Sequence, residues 1–259
     1  MNRLDGRTVI VTGALGGIGF SVTSFLSILG AQVIALDCID TEQAMNKFQN
    51  IAGAKPVYYK IDLTDSAALA KLVAKIESHN PDSLVALAGI VESGELVDQS
   101  TDSIRKVIDV NLISQMELAK YQIKSWLARK VAGNIVFVSS WVDHVPWPGI
   151  TPYAASKAGL VGVCRGIARE YARQGIRANL IAPGIVDVGM AAKQWREEPD
   201  YRARASRAIP LGRLQRPEEV AQGIAFLLSD QSSYMTGSTL LMDGGASLYP
   251  LDPEEAAQP

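Results

Sequence analysis

Short runs of apolar residues alternate along this chain with longer segments in which apolar residues recur every three or four positions. The short runs are nearly continuous in Val, Ile and Leu, which is typical of strands covered by helices on both faces. The predicted strands are Thr8–Val11, Gln32–Leu36, Val57–Lys60, Ser83–Ala88, Asn134–Ser139, Arg177–Ile181 and Thr239–Met242. The predicted helices are Ile18–Leu29, Thr41–Asn50, Ser66–His79, Thr101–Arg129, Pro152–Arg173 and Pro217–Leu228. This alternation predicts an α/β fold with a doubly wound parallel sheet of about seven strands.

The domain organisation follows from the absence of any Pro-, Gly- or Ser-rich linker, so residues 1–259 are expected to form a single domain. Residues 188–208 are polar and irregular and follow the sixth predicted strand. Ligands bind outside the carboxyl ends of the strands in open α/β sheets, so this segment is a candidate substrate lid. The composition of residues 252–259 predicts a loosely held terminus.

Composition and charge exclude several classes of protein. The chain has 25 Lys and Arg against 27 Asp and Glu, so no basic field is available to attract nucleic acid. Its longest apolar runs fall far short of the roughly 20 residues of a membrane span, and its N-terminus lacks the features of a secretory signal. We therefore expect a cytoplasmic protein. The spacing of Cys38, Cys164, His79 and His144 suits neither a disulfide framework nor a metal site, so no metal cofactor is expected.

The first predicted strand runs directly into a glycine-rich turn, residues 12–19, that precedes a helix. Glycines at such a turn let the backbone approach a pyrophosphate, which the free amides of the helix N-terminus stabilise. Asp37 stands 18 residues after Gly19, at the end of the second strand. A carboxylate at that place can accept both hydroxyls of an adenosine ribose. The turn and Asp37 together predict a dinucleotide site.

A second group of residues brings the chain close to a known family. Tyr153 and Lys157 are four residues apart and so share one helix face, and Ser140 precedes Tyr153 by 13 residues. With Asn111 in the long helix, they match in order and spacing the Asn, Ser, Tyr, Lys tetrad of the short-chain dehydrogenase/reductase family. The glycine turn resembles the family's TGxxxGxG turn. The resemblance extends from Leu4 to Gly245.

The resemblance implies a Rossmann-type fold, a nicotinamide cofactor and hydride transfer to or from a small molecule. It implies the tetrad Asn111, Ser140, Tyr153 and Lys157 as the catalytic group, with Asn111 as the anchor of a water chain. It also implies the cofactor contacts Gly13, Gly17, Ile18, Gly19, Asp37, Asp62, Leu63, Ala88, Gly89, Tyr153, Lys157, Pro183, Gly184 and Val186. Asp62 contacts the adenine in the family.

The energy needed to make Tyr153 a base can be compared with what a nearby lysine supplies. A free phenol ionises near pH 10, so a base with a pKa near 7 needs about 4 kcal/mol of phenolate stabilisation. A lysine cation about 4 Å away supplies roughly 4 kcal/mol at an effective dielectric constant of 20. The charge of Lys157 is therefore large enough to provide this stabilisation. Ser140 would hydrogen-bond the reacting oxygen.

The sequence departs from the family pattern in three respects. The usual Asn-Asn-Ala-Gly is Ala86-Leu87-Ala88-Gly89 here, so the hydrogen bonds of those asparagines are absent and local rigidity is in doubt. Val188 replaces the threonine usual at this place, which leaves the backbone of Val186 and Val188 to hold the nicotinamide. Gly16 stands where phosphate-preferring relatives often carry arginine. Together with the carboxylate of Asp37, this predicts NAD as the cofactor.

The substrate is the least determined part of the sequence. Residues 140–148, with Tyr249 and Pro250, look similar to bacterial aldose 1-dehydrogenases. This resemblance predicts that Trp141, Asp143 and His144 contact a sugar; the alternative is that they cover the sheet end or a subunit contact.

The basic residues of the lid bear on the charge of the substrate. Lys193, Arg196 and Arg202 could bind an anionic group, or else form salt bridges or face solvent.

We therefore expect NAD-dependent oxidation of an aldose at C1 to its lactone, with an anionic aldose such as sulfoquinovose as one substrate. The alternatives are a 3-oxoacyl or hydroxysteroid-type ketone reductase of the same family and a non-catalytic cofactor-sensing protein. Family members of this length are commonly tetramers. The apolar positions of the helices predicted at 101–129 and 152–173 suit packing across two-fold axes, so a homotetramer is expected.

Overall fold

The structure is a computed structural model that describes residues 3–145 and 147–248. Seven strands in this part of the chain form one parallel sheet in the order β3-β2-β1-β4-β5-β6-β7. The strands are β1 (Thr8–Thr12), β2 (Gln32–Asp37), β3 (Val57–Lys60), β4 (Ser83–Ala86), β5 (Gly133–Val138), β6 (Ile176–Pro183) and β7 (Thr239–Met242). The strand order reverses between β1 and β4, and ligands of open α/β sheets bind at such a point. The predicted parallel sheet is confirmed.

Helices follow the strands and cover both faces of the sheet. They are α1 (Gly17–Ile28), α2 (Thr41–Phe48), α3 (Ser66–Ile76), α4 (Thr101–Ile108), α5 (Ser114–Arg129), α6 (Thr151–Tyr171), α7 (Gly189–Glu197), α8 (Pro199–Ala208) and α9 (Pro217–Leu228). Within the described ranges, no helix is both long and apolar enough to cross a bilayer. The tail predicted at 252–259, Tyr249 and Pro250 lie outside the described residues.

Alternation of side chains along the strands builds a core on each face of the sheet. Val9 and Val11 of β1 pack with α1 and α9 residues in one cluster. Ile10, between them, packs in the other cluster with residues of α3, α5 and α6. Because successive residues of a strand point to opposite faces, apolar residues at every position are what a doubly covered sheet requires.

Two predicted elements were wrong in detail. The single helix predicted at 101–129 is interrupted by a π-helical turn at Asp109–Ile113, which separates α4 from α5. Such a turn inserts one residue into the helical repeat, a change that the spacing of apolar residues does not reveal.

The lid predicted as irregular over residues 188–208 instead contains the helices α7 and α8, and Pro199 lies in the first turn of α8. Burial of Ala192, Ala205 and the following Ile209 anchors these short helices, whose apolar repeat is too sparse to stand out in the sequence.

Candidate active site

A cavity of about 730 Å³ opens at the carboxyl ends of the central strands, and we call it the main cavity. Its wall contains nearly all the residues for which the family resemblance implied a cofactor or catalytic role. These are Gly13, Gly17, Ile18, Gly19, Asp37, Asp62, Leu63, Ala88, Gly89, Ser140, Tyr153, Lys157, Pro183, Gly184 and Val186. Segments far apart in sequence thus meet at the point where the strand order reverses.

The glycine turn is packed too closely for side chains. Gly13 has φ +62°, and a Cβ there would lie 2.9 Å from the Cα of Ala88. A Cβ on Gly19 would lie 1.9 Å from the carbonyl oxygen of Gly13, and one on Gly17 would lie 2.6 Å from the Cβ of Val188. The N-terminus of α1 has no side-chain cap and no acidic residue in its first turn. Its free amides line the main cavity and fit the phosphates of a dinucleotide.

Asp37 is held rigidly at the other side of this turn. Its Oδ2 accepts a hydrogen bond from the Leu15 amide at 2.9 Å, and its Oδ1 accepts one from the Ile39 amide at 3.3 Å. Each carboxylate oxygen keeps lone-pair capacity for a further donor, so the site fits a ribose diol. Among the described residues that line the main cavity, the basic side chains are those of Lys106 and Lys157.

Asp62 lies next to Asp37 at the cavity edge. Its Oδ1 accepts hydrogen bonds from the amide and the hydroxyl of Thr64, at 2.9 and 2.7 Å. These bonds lower the pKa of the Asp62 carboxyl, so the group is ionised at neutral pH.

Lys157 and Tyr153 lie one turn apart on α6, as predicted from their spacing. The Nζ of Lys157 donates to the carbonyl oxygen of Val138 at 2.8 Å and lies 5.5 Å from the centroid of the Tyr153 ring. Lys157 is buried. Burial lowers its pKa to about 8, although the carboxylate of Asp143 acts in the opposite direction.

The phenol of Tyr153 differs from the expectation drawn from Lys157 alone. Burial raises the pKa of Tyr153, a hydrogen bond with Ser140 lowers it in part, and the Asp143 carboxylate raises it further. The expectation from the sequence included the attraction of the lysine and left out the desolvation of the phenolate. The phenol is therefore protonated at neutral pH in the structure, and further positive charge is needed before it can act as a base.

Asn111 lies behind the cavity wall, on the π-helical turn. Its Oδ1 accepts from the Ile90 amide, and its Nδ2 donates to the Ile90 carbonyl, both at 2.8 Å. The Nδ2 also donates to Ser156 Oγ at 3.1 Å. A Cβ on Gly89 would lie 3.3 Å from Asn111 Oδ1 and 3.4 Å from Lys157 Nζ, so the two predicted tetrad members flank Gly89. The water chain remains a prediction.

The residues predicted to contact a sugar are mostly engaged inside the protein. Trp141 is buried and packs edge-on against Trp147, with ring centroids 5.8 Å apart. The Asp143 side chain is fully buried, accepts a hydrogen bond from Ser139 Oγ at 2.7 Å and contacts His144 Nδ1. The side chain of His144 is 60% exposed. None of the three predicted residues lines the main cavity.

The basic residues of the lid are on its surface. Lys193 forms an ion pair with Glu197, and Arg196 forms one with Asp187, each at 3.8 Å. Arg202 is exposed. Exposed pairs of this kind contribute little to stability, and none of the three cations lines the main cavity.

Several residues around the site could not be predicted from motifs or spacing in the sequence. Trp195 of α7 packs in one cluster with Trp141, Trp147 and Tyr153. Thr12 and Gln115 hold the strand end that precedes Gly89, and Lys106 lines the main cavity. Gln115 could have been noticed as one of the few polar residues on the buried face of α5. In the described residues there is no cluster of three or more His, Cys, Asp or Glu side chains suited to a metal ion.

Comparison with known proteins agrees with this geometry. Residues 13–247 match the family model described as enoyl-(acyl carrier protein) reductase. The chain is 37% identical over 251 residues to 3beta-hydroxysteroid dehydrogenase 1 of Eggerthella lenta, covering 95% of this chain and 96% of that protein. It is 37% identical over 247 residues to the 3-oxoacyl-acyl-carrier-protein reductase of Thermotoga maritima, covering 94% and 98%.

Among solved structures, one from Beutenbergia cavernae, assigned as an NAD(P)-dependent gluconate 5-dehydrogenase with NADP at low occupancy, has a TM-score of 0.88 and 32% identity. The match covers 94% of this chain and 98% of that one. The chain belongs to the short-chain dehydrogenase/reductase family. It is therefore an oxidoreductase that uses a nicotinamide cofactor on CH–OH or keto groups.

Proposed function

We propose that this chain is an NAD-dependent dehydrogenase that moves a hydride between a ring carbon bearing a hydroxyl group and the nicotinamide. The observation that carries the proposal is that Ser140, Tyr153 and Lys157 line the same cavity as Asp37 and the glycine turn. A bound nicotinamide would supply the hydride acceptor and, in its oxidised form, the further positive charge that the Tyr153 phenol needs.

The chain's own groups handle the proton and the orientation of the substrate. Ser140, which lines the same cavity as Tyr153, holds the substrate oxygen beside the phenol. Tyr153 takes the hydroxyl proton during oxidation and returns it during reduction. Lys157 keeps its cation beside the phenol because it is anchored by the Val138 carbonyl, and this charge favours the phenolate.

The preference for NAD rests on Asp37. Its carboxylate is fixed by the Leu15 and Ile39 amides and would repel a 2′-phosphate on the ribose. The basic residues Lys106 and Lys157 are the only ones of the described cavity wall, and Lys106 forms an ion pair with Glu92 at 3.3 Å. The NADP in the Beutenbergia cavernae structure is a property of that protein, and the cofactor preference of this chain is tested by the comparison of NAD with NADP below.

For the substrate, the surroundings of Tyr153 favour an apolar body over a polar one. Tyr153 packs on one side against a cluster of aromatic and aliphatic side chains, and the main cavity that it lines also has the apolar side chains of Ile90, Val91 and Val188 in its wall. The Asp143 carboxylate, which would hydrogen-bond a sugar, is fully buried beside Ser139 and His144 and does not line the main cavity. These observations support a hydroxysteroid-like secondary alcohol or the matching ketone, in line with the activity named for the Eggerthella lenta relative.

The oxidation of an aldose at C1 is the second candidate. It is supported by the polar side chains of His144, in the segment that resembles aldose 1-dehydrogenases, and of Arg202 in α8, both of which are exposed. The solved relative from Beutenbergia cavernae is named for a sugar acid, which supports a polyhydroxylated substrate in general rather than oxidation at C1. An anionic aldose would use Arg202 or an opened Arg196–Asp187 pair.

The test is an initial-rate assay of the purified protein with NAD and NADP on matched substrates. The panel contains glucose, sulfoquinovose, gluconate and a 3β-hydroxysteroid. We expect kcat/KM for the hydroxysteroid to exceed that for each sugar by at least about tenfold, since each buried methylene contributes about 0.8 kcal/mol. Preferred turnover of an aldose would reverse the order of the two candidates. No turnover of any alcohol or ketone, with NADH still bound, would support the cofactor-sensing alternative.

A further inference from the structure

The segment Leu87–Ile90 forms one wall of the main cavity, although none of its four side chains carries a polar group. Because Ala86 and Leu87 replace the two asparagines usual in the family, the sequence predicted a loosely held segment. The structure contradicts that expectation, because side chains from other elements hold its backbone. The Thr12 hydroxyl accepts hydrogen bonds from the Leu87 and Ala88 amides, both at 2.9 Å. Asn111 binds the amide and the carbonyl of Ile90.

Gln115 joins these two anchors. This fully buried residue of α5 accepts a hydrogen bond on Oε1 from the Thr12 hydroxyl at 3.2 Å. Its Nε2 lies 3.2 Å from the Ala88 carbonyl and 3.3 Å from the Val110 carbonyl, both acceptors. Val110 immediately precedes Asn111 on the π-helical turn. One amide thus links the ends of β1 and β4 to the turn that carries Asn111.

The orientation of the Thr12 hydroxyl depends on this link. A hydroxyl has one hydrogen, and the alternative acceptor, the Val85 carbonyl, is farther away at 3.5 Å. When the hydrogen points at Gln115, both lone pairs of Thr12 Oγ1 face the Leu87 and Ala88 amides. Gln115 therefore supports the amides of the segment indirectly, through the Thr12 hydroxyl, and binds the Ala88 carbonyl directly.

The position of this segment matters for the proposed chemistry because it passes directly beside Lys157. A Cβ on Gly89 would lie 3.4 Å from the lysine Nζ. A shift of the segment by a few tenths of an ångström therefore changes both the cofactor wall and the surroundings of the ammonium group.

We propose that Gln115 is a positioning residue that holds Leu87–Ile90 in the shape required for nicotinamide cofactor binding. It acts through Thr12, Ala88 and Val110 and does not itself line the main cavity. The proposal rests on the cofactor use of the family and is independent of the substrate proposed above.

The first experiment compares Gln115→Met with the unaltered protein by NADH fluorescence titration and thermal unfolding. Methionine keeps the length and apolar volume of the side chain and removes its hydrogen bonds. We expect the Kd for NADH to rise about tenfold, since the buried hydrogen bonds of Gln115 to Thr12, Ala88 and Val110 are lost. Hydrogen exchange should accelerate in the peptide that contains Leu87 and Ala88.

Gln122 provides a matched control. It is a second buried glutamine of α5, and its Oε1 has no hydrogen-bond partner among the described residues. Gln122→Met should leave the Kd for NADH within about twofold of the unaltered protein, whatever its effect on thermal stability. An equal rise in Kd for both variants would show a general packing effect and overturn the proposal, as would an unchanged Kd for Gln115→Met.

A double-mutant cycle with Thr12→Val tests whether Thr12 and Gln115 act as one hydrogen-bond network or independently of each other. If Gln115 acts through the Thr12 hydroxyl, Thr12→Val alone should also weaken NADH binding, and the double variant should be scarcely weaker than either single variant. Additive losses would contradict the proposal. Should Gln115→Met fail to fold, hydrogen exchange and NADH titration of Thr12→Val still decide, because a silent Thr12→Val variant would refute the link.

Discussion

The Asp143 carboxylate accepts a hydrogen bond from the hydroxyl of Ser139 at 2.7 Å. Ser139 directly precedes Ser140, a member of the proposed catalytic group. A fully buried carboxylate thus lies inside the proposed catalytic centre, where it raises the pKa of Tyr153 and opposes the fall in the pKa of Lys157. This anion assists the lysine cation and hinders the phenolate.

The first prediction concerns the pH dependence of Asp143→Asn. Removal of the anion stabilises the phenolate relative to the phenol, so the pKa of Tyr153 falls. The rising limb of kcat/KM for alcohol oxidation should then move to lower pH, and the pKa of Lys157 should fall with it. A pH–rate profile measures the shift. Asp187→Asn, which removes a carboxylate paired with Arg196, is the control and should leave the profile in place. An unmoved limb in Asp143→Asn would show that this charge does not reach Tyr153.

The second prediction concerns Tyr153→Phe. The ring remains and the proton acceptor is lost, so turnover should fall by about a hundredfold or more while NADH still binds. Tyr121→Phe removes a hydroxyl that contacts Glu117 on α5 and should retain turnover. Steady-state rates and NADH titration of both variants provide the measurement. Wild-type turnover in Tyr153→Phe would remove the phenol from the proton-transfer step.

The third prediction concerns Asp37 and the choice of cofactor. The unaltered protein should prefer NAD over NADP by at least about tenfold in kcat/KM, roughly 1.4 kcal/mol. Asp37→Ala should narrow this ratio, because it removes the repulsion of the 2′-phosphate together with the ribose acceptor. Asp102→Asn changes the charge at an exposed site beside Arg105 and should not alter the ratio. Comparable efficiency of the unaltered protein with both cofactors would count against the NAD assignment.

The fourth prediction concerns acid stability. Hydrogen bonds from Arg213 and from the Arg216 amide lower the pKa of Glu219 to about 2. Because the pKa is lower in the folded state, the stabilisation is present above the unfolded pKa near 4.5 and is lost as the pH falls toward 2. Glu219→Gln should therefore lower Tm at pH 7 and have a smaller effect at pH 3. Glu218→Gln, its exposed neighbour, is the control, and a gap in Tm that widens in acid would contradict the sign.

The fifth prediction is a homotetramer. Ile113, at the start of α5, and Met116 and Leu127 within it are large apolar residues left exposed in the single chain. Sedimentation at micromolar concentration should give a species of four chains. Met116→Glu should shift it toward smaller species, because a charge buried between subunits without a partner is unfavourable. A stable monomer of the unaltered protein would contradict the prediction.

Much of the fold could be predicted because its determinants are local in the chain. The strands were recognised from continuous apolar runs, and the helices that pack against the sheet were recognised from their apolar repeat. A close backbone approach requires glycine and a ribose requires an acceptor at the end of β2, so Gly13 and Asp37 could be predicted to share one site, and both line the main cavity. The spacing of Tyr153 and Lys157 placed them on one face of α6, where the structure has them.

The tertiary structure alone decided which side chains meet from distant parts of the chain. Thr12 and Gln115 are 103 positions apart, and no spacing rule links them. The burial of Asp143 and the desolvation of Tyr153 depend on the packing of several elements around them, so neither this burial nor the raised pKa of the phenol could be predicted from the sequence. Local periodicity determines where helices and strands form, whereas the free energy of burying a charge depends on every neighbour that excludes water from it.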